Sequence, residues 1–259
     1  MNILKVQIIQ HDIHWANPKE NQERLEQQLA EHPGADLYVL CEMWPTGFAT
    51  EPEHTAEEAL DSPSLRWMLR MAKQHDAAIA GSIATRQDGH YYNRFYFVKP
   101  DGEIEHYDKR HLFTYGGEHH HFTRGERRVV VEWRGVRFLL QVCYDLRFPT
   151  WSRNHWNDEA QRPDYDTILY IASWPVPRIE AWNTLLRARA IENQCYVVGV
   201  NRIGEDPNCK YCGASAIIDP YGRTLAECER DIECAAEAEL DMEILAVFRK
   251  KFPVLKDGD

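Results

Sequence analysis

The stretch YDTILYIASWP, Tyr165–Pro175, is an apolar run that stops at Trp-Pro, and ADLYVLCEMWP, Ala35–Pro45, has the same form. Both are apolar almost throughout, as strands covered on two faces are. Working outward from each, the same succession of elements appears. Before Ala35 lie the strand ILKVQIIQ (3–10) and a helix that starts at Asn17-Pro18-Lys19-Glu20, with an N-cap Asn, Pro at the first helical position and Glu three residues on. Leu25 and Leu29 carry that helix to His32, and Pro33-Gly34 stops it. After it come a helix from Ser62-Pro63 with Leu65, Met68, Leu69 and Ala72 on one face, a strand AAIAGSIA (77–84), and NRFYFVKPDGEI (93–104), a strand turning at Pro100-Asp101-Gly102.

Around Tyr165–Pro175 the order recurs. RFLLQVC (137–143) is a strand, Ala181 to Gln194 a helix, CYVVGVNRIG a strand, and SAIIDPYGRTL (215–225) a strand with a turn. No linker-like segment separates the halves. Two copies of β-α-β-α-β-β predict one α/β domain over residues 1–259, pseudo-twofold symmetric, with sheets inside and helices outside. Asp241 to Lys251 reads as a terminal helix ended by Pro253.

The bulk properties narrow the function. A chain of 259 residues with 44% hydrophobic and 27% charged residues can bury a sizeable core. Its formal charge of −11 speaks against nucleic acid or an anionic membrane as partner. No apolar run reaches the roughly 18 residues that a membrane-spanning helix needs. The start MNILKVQIIQHD is not built like a signal peptide. Seven cysteines, odd in number and irregular in spacing, read as reduced thiols in a cytoplasm.

In open α/β architectures chemistry gathers at the C-terminal ends of strands. Three reactive residues lie there: Glu42 in VLCEMWPTGF, Lys109 in HYDKRHLF and Cys143 in LLQVCYDLRFP. A thiol nucleophile needs a base for its proton and a cation or N–H for the developing oxyanion, and this trio supplies both. Taken singly, each has a plainer reading: a salt-bridged carboxylate, a solvated lysine and a core cysteine.

Together, CEMWPTGF, YDKRHLF and VCYDLRFP, in that order, resemble the three motifs of the nitrilase superfamily of carbon–nitrogen hydrolases, from the first strand to about Gly222. The resemblance implies a four-layer αββα sandwich. It also implies Glu42 as base, Lys109 as oxyanion-stabilising amine, Cys143 as nucleophile and Glu118 as a second active-site glutamate, with the Tyr144 N–H beside Lys109 at the oxyanion. No cofactor or metal is implied, because base, electrophile and nucleophile are already present. The resemblance further implies assembly into homodimers or larger homo-oligomers.

Tyr-Asp after the cysteine is similar to the amidase and carbamoylase branches, where nitrilases proper carry Trp-Glu. YDKRHLF, CYDLRFP, ASWPVPR and RARAIENQCYVVGVNR most resemble bacterial omega-amidases. The implied substrates are small anions such as 2-oxoglutaramate or 2-oxosuccinamate, hydrolysed through a thioester with loss of ammonia. An N-carbamoyl amino-acid amidohydrolase is the alternative within the family. An anionic substrate calls for a guanidinium; Arg178 is the candidate, while Arg147 is expected in a structural ion pair. Trp174, Phe48 and Tyr115 are candidate pocket walls, unless they are simply core.

A zinc hydrolase is the remoter rival. His106, His111 and His119-His120-His121 lie near Glu118 in sequence, but without HExxH spacing. Cys209 and Cys212 form a lone CxxC, with Cys228 and Cys234 spaced differently, which leaves a structural zinc or a redox role open. A non-catalytic binding module would be marked by a missing triad member, and none is missing.

Overall fold

The computed structural model describes residues 3–258. The first apolar run forms strand β1 (Ile3–Gln10). Helix α1 (Pro18–Glu31) begins at the cap read from the sequence, where the Asn17 side chain accepts from the Glu20 N–H, and it buries Leu25 and Leu29. Helix α2 (Pro63–His75) starts the same way, with Ser62 Oγ accepting from the Leu65 N–H at 2.9 Å. Strands β2 (Leu37–Val39), β3 (Ala78–Gln87), β4 (His90–Val98) and β5 (Ile104–Asp108) complete the first half.

The second half contains β6 (Val130–Trp133), β7 (Val136–Val142), β8 (Thr167–Ala172), helix α3 (Ile179–Glu192), β9 (Tyr196–Asn201), β10 (Ala216–Ile218) and β11 (Thr224–Glu227). Its sheet repeats the first in order and direction. β1, β2 and β3 are mutually parallel neighbours, followed by antiparallel β4 and β5. β7, β8 and β9 are likewise parallel, followed by antiparallel β10 and β11. The repeat in the sequence is thus a repeat of topology.

Side chains alternate across each strand, and the two faces of the first sheet have different partners. Leu4, Val6 and Ile8 of β1 and Phe95 and Phe97 of β4 share one buried cluster with Phe138, Leu140 and Val142 of β7 and with Val198 and Val200 of β9. The rings of Phe97 and Phe138 lie 5.8 Å apart across this inter-sheet core. On the other face, Ile9, Tyr38, Ile79 and Val98 meet Leu25 and Leu29 of α1 and Met68 and Met71 of α2. Trp182, Leu186 and Ala190 of α3 join the second sheet. Gly199 lets that helix come close: a Cβ there would stand 2.5 Å from Leu186 Cδ1. The first sheet thus meets helices on one face and the second sheet on the other, and α3 packs with the second sheet.

The sequence reading missed β12 (Cys234–Asp241), which pairs antiparallel with the whole of β1, from Ile3 opposite Asp241 to Gln10 opposite Cys234. It ties the end of the second half to the edge of the first sheet. Helix α4 (Met242–Lys251) follows, capped by Asp241 as its side chain accepts from the N–H groups of Glu243 and Ile244.

Candidate active site

Each of the three strand-end residues is fixed by its local backbone. Beyond β2 the chain turns sharply at Met43, φ 44°, where Ser82 Oγ accepts from the Met43 N–H at 2.8 Å, so that Glu42 enters the inter-strand space. Lys109 follows β5 directly. Its N–H donates to Asn93 O at 3.0 Å and its carbonyl accepts from Gly125 at 2.9 Å. A Cβ on Gly125 would lie 2.0 Å from Asp108 O, so this closure requires glycine. Cys143 follows β7 at φ 49°, a left-handed conformation uncommon for a residue with a side chain.

The side chains converge. Lys109 Nζ donates to Glu42 Oε1 at 2.9 Å and to Glu118 at 2.9 Å (Oε2) and 3.1 Å (Oε1). All three groups are fully buried. Glu42 Oε2 accepts from the Ser173 N–H at 2.9 Å, and Glu118 Oε2 from the Phe113 N–H at 2.6 Å. Asn93 Nδ2 donates to Glu42 Oε1 at 2.8 Å and to Glu118 Oε1 at 3.2 Å. The Cys143 side chain, 8% exposed, is buried where the charges of Glu42 and Lys109 both act on its thiol.

The electrostatics follow from two carboxylates and one ammonium held out of water. Burial works against the Lys109 charge, but Glu118 and Glu42 outweigh it and raise the ammonium's pKa above the ordinary lysine value. Burial raises Glu118, with Lys109 opposing. Burial also raises the Cys143 thiol well above its usual range; the Glu42 charge adds to this and Lys109 opposes it. Burial and the Glu42 charge both favour the neutral thiol over the thiolate. A thiol so placed needs a neighbouring base before it can react.

Asp145 locks the turn at Cys143. Its buried carboxylate accepts from the Val142 N–H (3.0 Å), the Tyr107 hydroxyl (2.8 Å), and the N–H and ring Nδ1 of His111 (3.0 and 2.8 Å). Tyr107 and His111 flank Lys109, so one carboxylate joins the Cys143 turn to the Lys109 segment. Arg189 of α3 adds a bond from Nη2 to Leu146 O at 2.6 Å.

A cleft of about 750 Å³ is lined by Phe48, Phe113, Tyr115, Arg178, Lys210 and Tyr211, among others. Phe48 links it to the buried Lys109 cluster, because its ring centroid is 5.2 Å from Lys109 Nζ. Tyr115 is 85% exposed. Arg178 stands over the rings of Phe113 and Tyr115 at 5.2 and 5.6 Å. Tyr144, half-buried, meets Phe113 and Phe148 edge-on, and its N–H belongs to the first turn of a short 3₁₀ helix, where donors lack intrahelical acceptors. Trp174 is buried against Trp182 and directly follows Ser173. A separate cleft of about 470 Å³, lined by Trp156, Leu245 and Arg249 among others, contains none of Glu42, Lys109 and Cys143.

Arg147 departs from expectation. It is exposed, stands 4.9 Å above the Trp174 ring, and has no carboxylate partner among the described residues. The structural ion pair expected for it is not formed. Its nearest acid in sequence, Asp145, already spends both oxygens on Val142, Tyr107 and His111.

The histidines disperse. His111 stacks on Phe148 at 3.9 Å, His121 meets Glu53 at 3.2 Å, and His106 lies against Tyr96. Cys228 donates to the Cys234 carbonyl at 3.5 Å. Among the described residues no group of three or more His, Cys, Asp or Glu side chains is arranged to hold a metal ion. None of their helices is long and apolar enough to cross a membrane.

Comparison with known proteins agrees with this geometry. The sequence profile described as carbon-nitrogen hydrolase matches residues 5–250. The chain is 44% identical to omega-amidase YafV of Yersinia enterocolitica, covering 100% of this chain and 98% of that protein. It is 38% identical to the 2-oxoglutaramate amidase of Bacillus subtilis, covering 97% and 96%. The crystal structure of a CN-hydrolase superfamily protein from Xanthomonas campestris, with an arsenic adduct in its active site, superposes with a TM-score of 0.97 at 40% identity, covering 100% of this chain and 98% of that one. With its repeated sheet topology and these full-length matches, the chain belongs to the carbon–nitrogen hydrolases of the nitrilase superfamily.

Proposed function

We propose that this hydrolase is a thiol amidase that cleaves the terminal amide of small carboxylate-bearing substrates, namely omega-amides of 2-oxo acids such as 2-oxoglutaramate and 2-oxosuccinamate. The observation that carries the reading is the buried contact of Lys109 with Glu42 at 2.9 Å, beside a buried Cys143 thiol on which both charges act. The relatives named omega-amidase and 2-oxoglutaramate amidase support the substrate class.

In this mechanism Glu42 takes the thiol proton as sulfur attacks the amide carbonyl. The carbonyl π electrons move onto oxygen, which Lys109 Nζ and the Tyr144 N–H stabilise. Lys109 has three N–H bonds; one to Glu42 and one shared between the two Glu118 oxygens leave one for the oxyanion. The carbon–nitrogen bond breaks as Glu42 returns its proton to nitrogen, and ammonia leaves a thioester on Cys143. Water deprotonated by Glu42 then attacks the thioester, releasing the acid and restoring the thiol. Glu118 holds Lys109 in place throughout, through its two-oxygen contact.

The substrate carboxylate is assigned to a guanidinium with no acid of its own. Arg178 in the cleft and Arg147 over Trp174 both qualify. Losing a charge-assisted hydrogen bond of this kind costs about 10- to 100-fold. Arg178→Ala is expected to raise KM by that factor for carboxylate-bearing amides and to spare neutral ones, with Arg147→Ala measured in parallel. Equal effects on both substrate types would remove Arg178 from this role. A panel of 2-oxo acid omega-amides against N-carbamoyl amino acids tests the function itself, and preference for the carbamoyl compounds would overturn it.

The same reading carries a cytoplasmic setting that keeps the nucleophile a thiol, and assembly into a homodimer or larger homo-oligomer. Ile191 of α3 and Ile244 and Val247 of α4, each about half exposed, support self-association. Light scattering is expected to give at least twice the 30.3 kDa chain mass; a monomer at micromolar concentration would contradict it.

A further inference from the structure

Asn93 lies inside β4 and is fully buried. Its side-chain Nδ2 donates to Glu42 Oε1 at 2.8 Å and to Glu118 Oε1 at 3.2 Å, and its backbone carbonyl accepts from the Lys109 N–H at 3.0 Å. One residue thus touches the base, the second carboxylate and the lysine backbone. Its Oδ1, by contrast, is buried with no partner. A buried acceptor left unpaired is costly and calls for an explanation. Turning the amide over would not help, because Oδ1 would then face two carboxylate oxygens. The orientation is dictated by the acids, at the expense of the amide's own carbonyl.

We propose that Asn93 is a positioning residue which, as the one neutral donor shared by both buried carboxylates, keeps them charged and aligned around a single lysine. The proposal rests on the triad reading above. The charge balance makes the role physical. Glu42 and Glu118 face Lys109, the neutral Cys143 thiol and Asn93. The adjacent Arg94 is already neutralised by Asp108, at 2.7 and 3.0 Å. Two acids against one ammonium leave a surplus negative charge in a dry site. Hydrogen bonds to the charged form are what keep such an acid from taking up a proton.

Two variants test this against simple packing. Asn93→Ala removes the donor, so the carboxylates protonate more easily. kcat is expected to fall about 10- to 100-fold. The pH below which activity is lost should move up by about one unit, with KM nearly unchanged. Asn93→Asp is isosteric but replaces the donor with a third acid, so it should be the more damaging variant and shift the acid limb further. A packing role predicts the reverse order, with the alanine cavity worse than the isostere. That order, or an unmoved acid limb in both variants, would overturn the proposal.

The pH dependence of Cys143 alkylation by iodoacetamide in the same variants gives a readout independent of substrate. If the wild-type chain alkylates at Cys143 without losing amide turnover, the triad reading fails. If alkylation and turnover are linked but neither variant alters their pH dependence, the Asn93 assignment alone fails. Circular dichroism confirms that both variants are folded before either is scored.

Discussion

Cys143→Ala is expected to abolish amide turnover, by about 10⁴-fold or more, while leaving the chain folded. The loss is complete because a thioester needs a sulfur, and the neighbouring side chains of Glu42, Lys109, Glu118 and Asn93 carry none. The fold should survive for three reasons. Alanine meets the left-handed backbone at φ 49° with no larger steric penalty than cysteine. The atom removed is small. The turn itself is held by Asp145, through the Val142 N–H, rather than by the thiol. Ammonia release and thermal unfolding measured on the same sample check both halves. Turnover above about one percent of wild type would remove Cys143 from the nucleophile's role.

Glu42→Gln should be nearly as severe, lowering kcat about 10²- to 10⁴-fold, the range for loss of a general base. The substitution preserves shape but not chemistry. A glutamine cannot accept the thiol proton, and one end of its amide would present N–H groups either to the Ser173 N–H or to Lys109, where the carboxylate now accepts at 2.9 Å in both cases. The thiol responds in the opposite direction. Glu42 raises the Cys143 pKa and Lys109 lowers it, so without the glutamate charge the thiolate becomes easier to form. The variant should therefore still alkylate at Cys143 while failing to turn over amide. Turnover within tenfold of wild type would show that another group serves as base.

The fold was legible where local chemistry and periodicity agree. Asn17-Pro18 and Ser62-Pro63 open α1 and α2 as their capping side chains require, and the doubled Trp-Pro strand ends mark equivalent strands in sheets of the same order. β12 was not legible, because CAAEAELD is rich in alanine and glutamate, which favour helix. It becomes a strand because the exposed edge of β1 offers eight residues of backbone pairing, a tertiary cause with no local trace.

The site divides in the same way. Glu42, Lys109 and Cys143 could be picked out because each ends a strand inside a motif, and Glu118 by resemblance. Their meeting could not be read from spacing, since 101 positions part Glu42 from Cys143 and only the facing of the two sheets brings them together. Asn93 has no motif of its own; within NRFYF it is an ordinary strand residue until Glu42 and Glu118 arrive. The ion pair expected for Arg147 does not form, and Asp145, the acid nearest to it in sequence, is consumed by the turn it stabilises.

In this mechanism one of seven thiols does the chemistry, and stoichiometric alkylation separates it from the other six. Iodoacetamide is added in increments, the fraction of carboxamidomethylated Cys143 is read by peptide mass spectrometry, and residual amidase activity is measured on the same aliquots. Activity should fall in proportion to Cys143 modification and reach zero at one equivalent, with substrate slowing both. Full modification of Cys143 with activity retained would contradict the account.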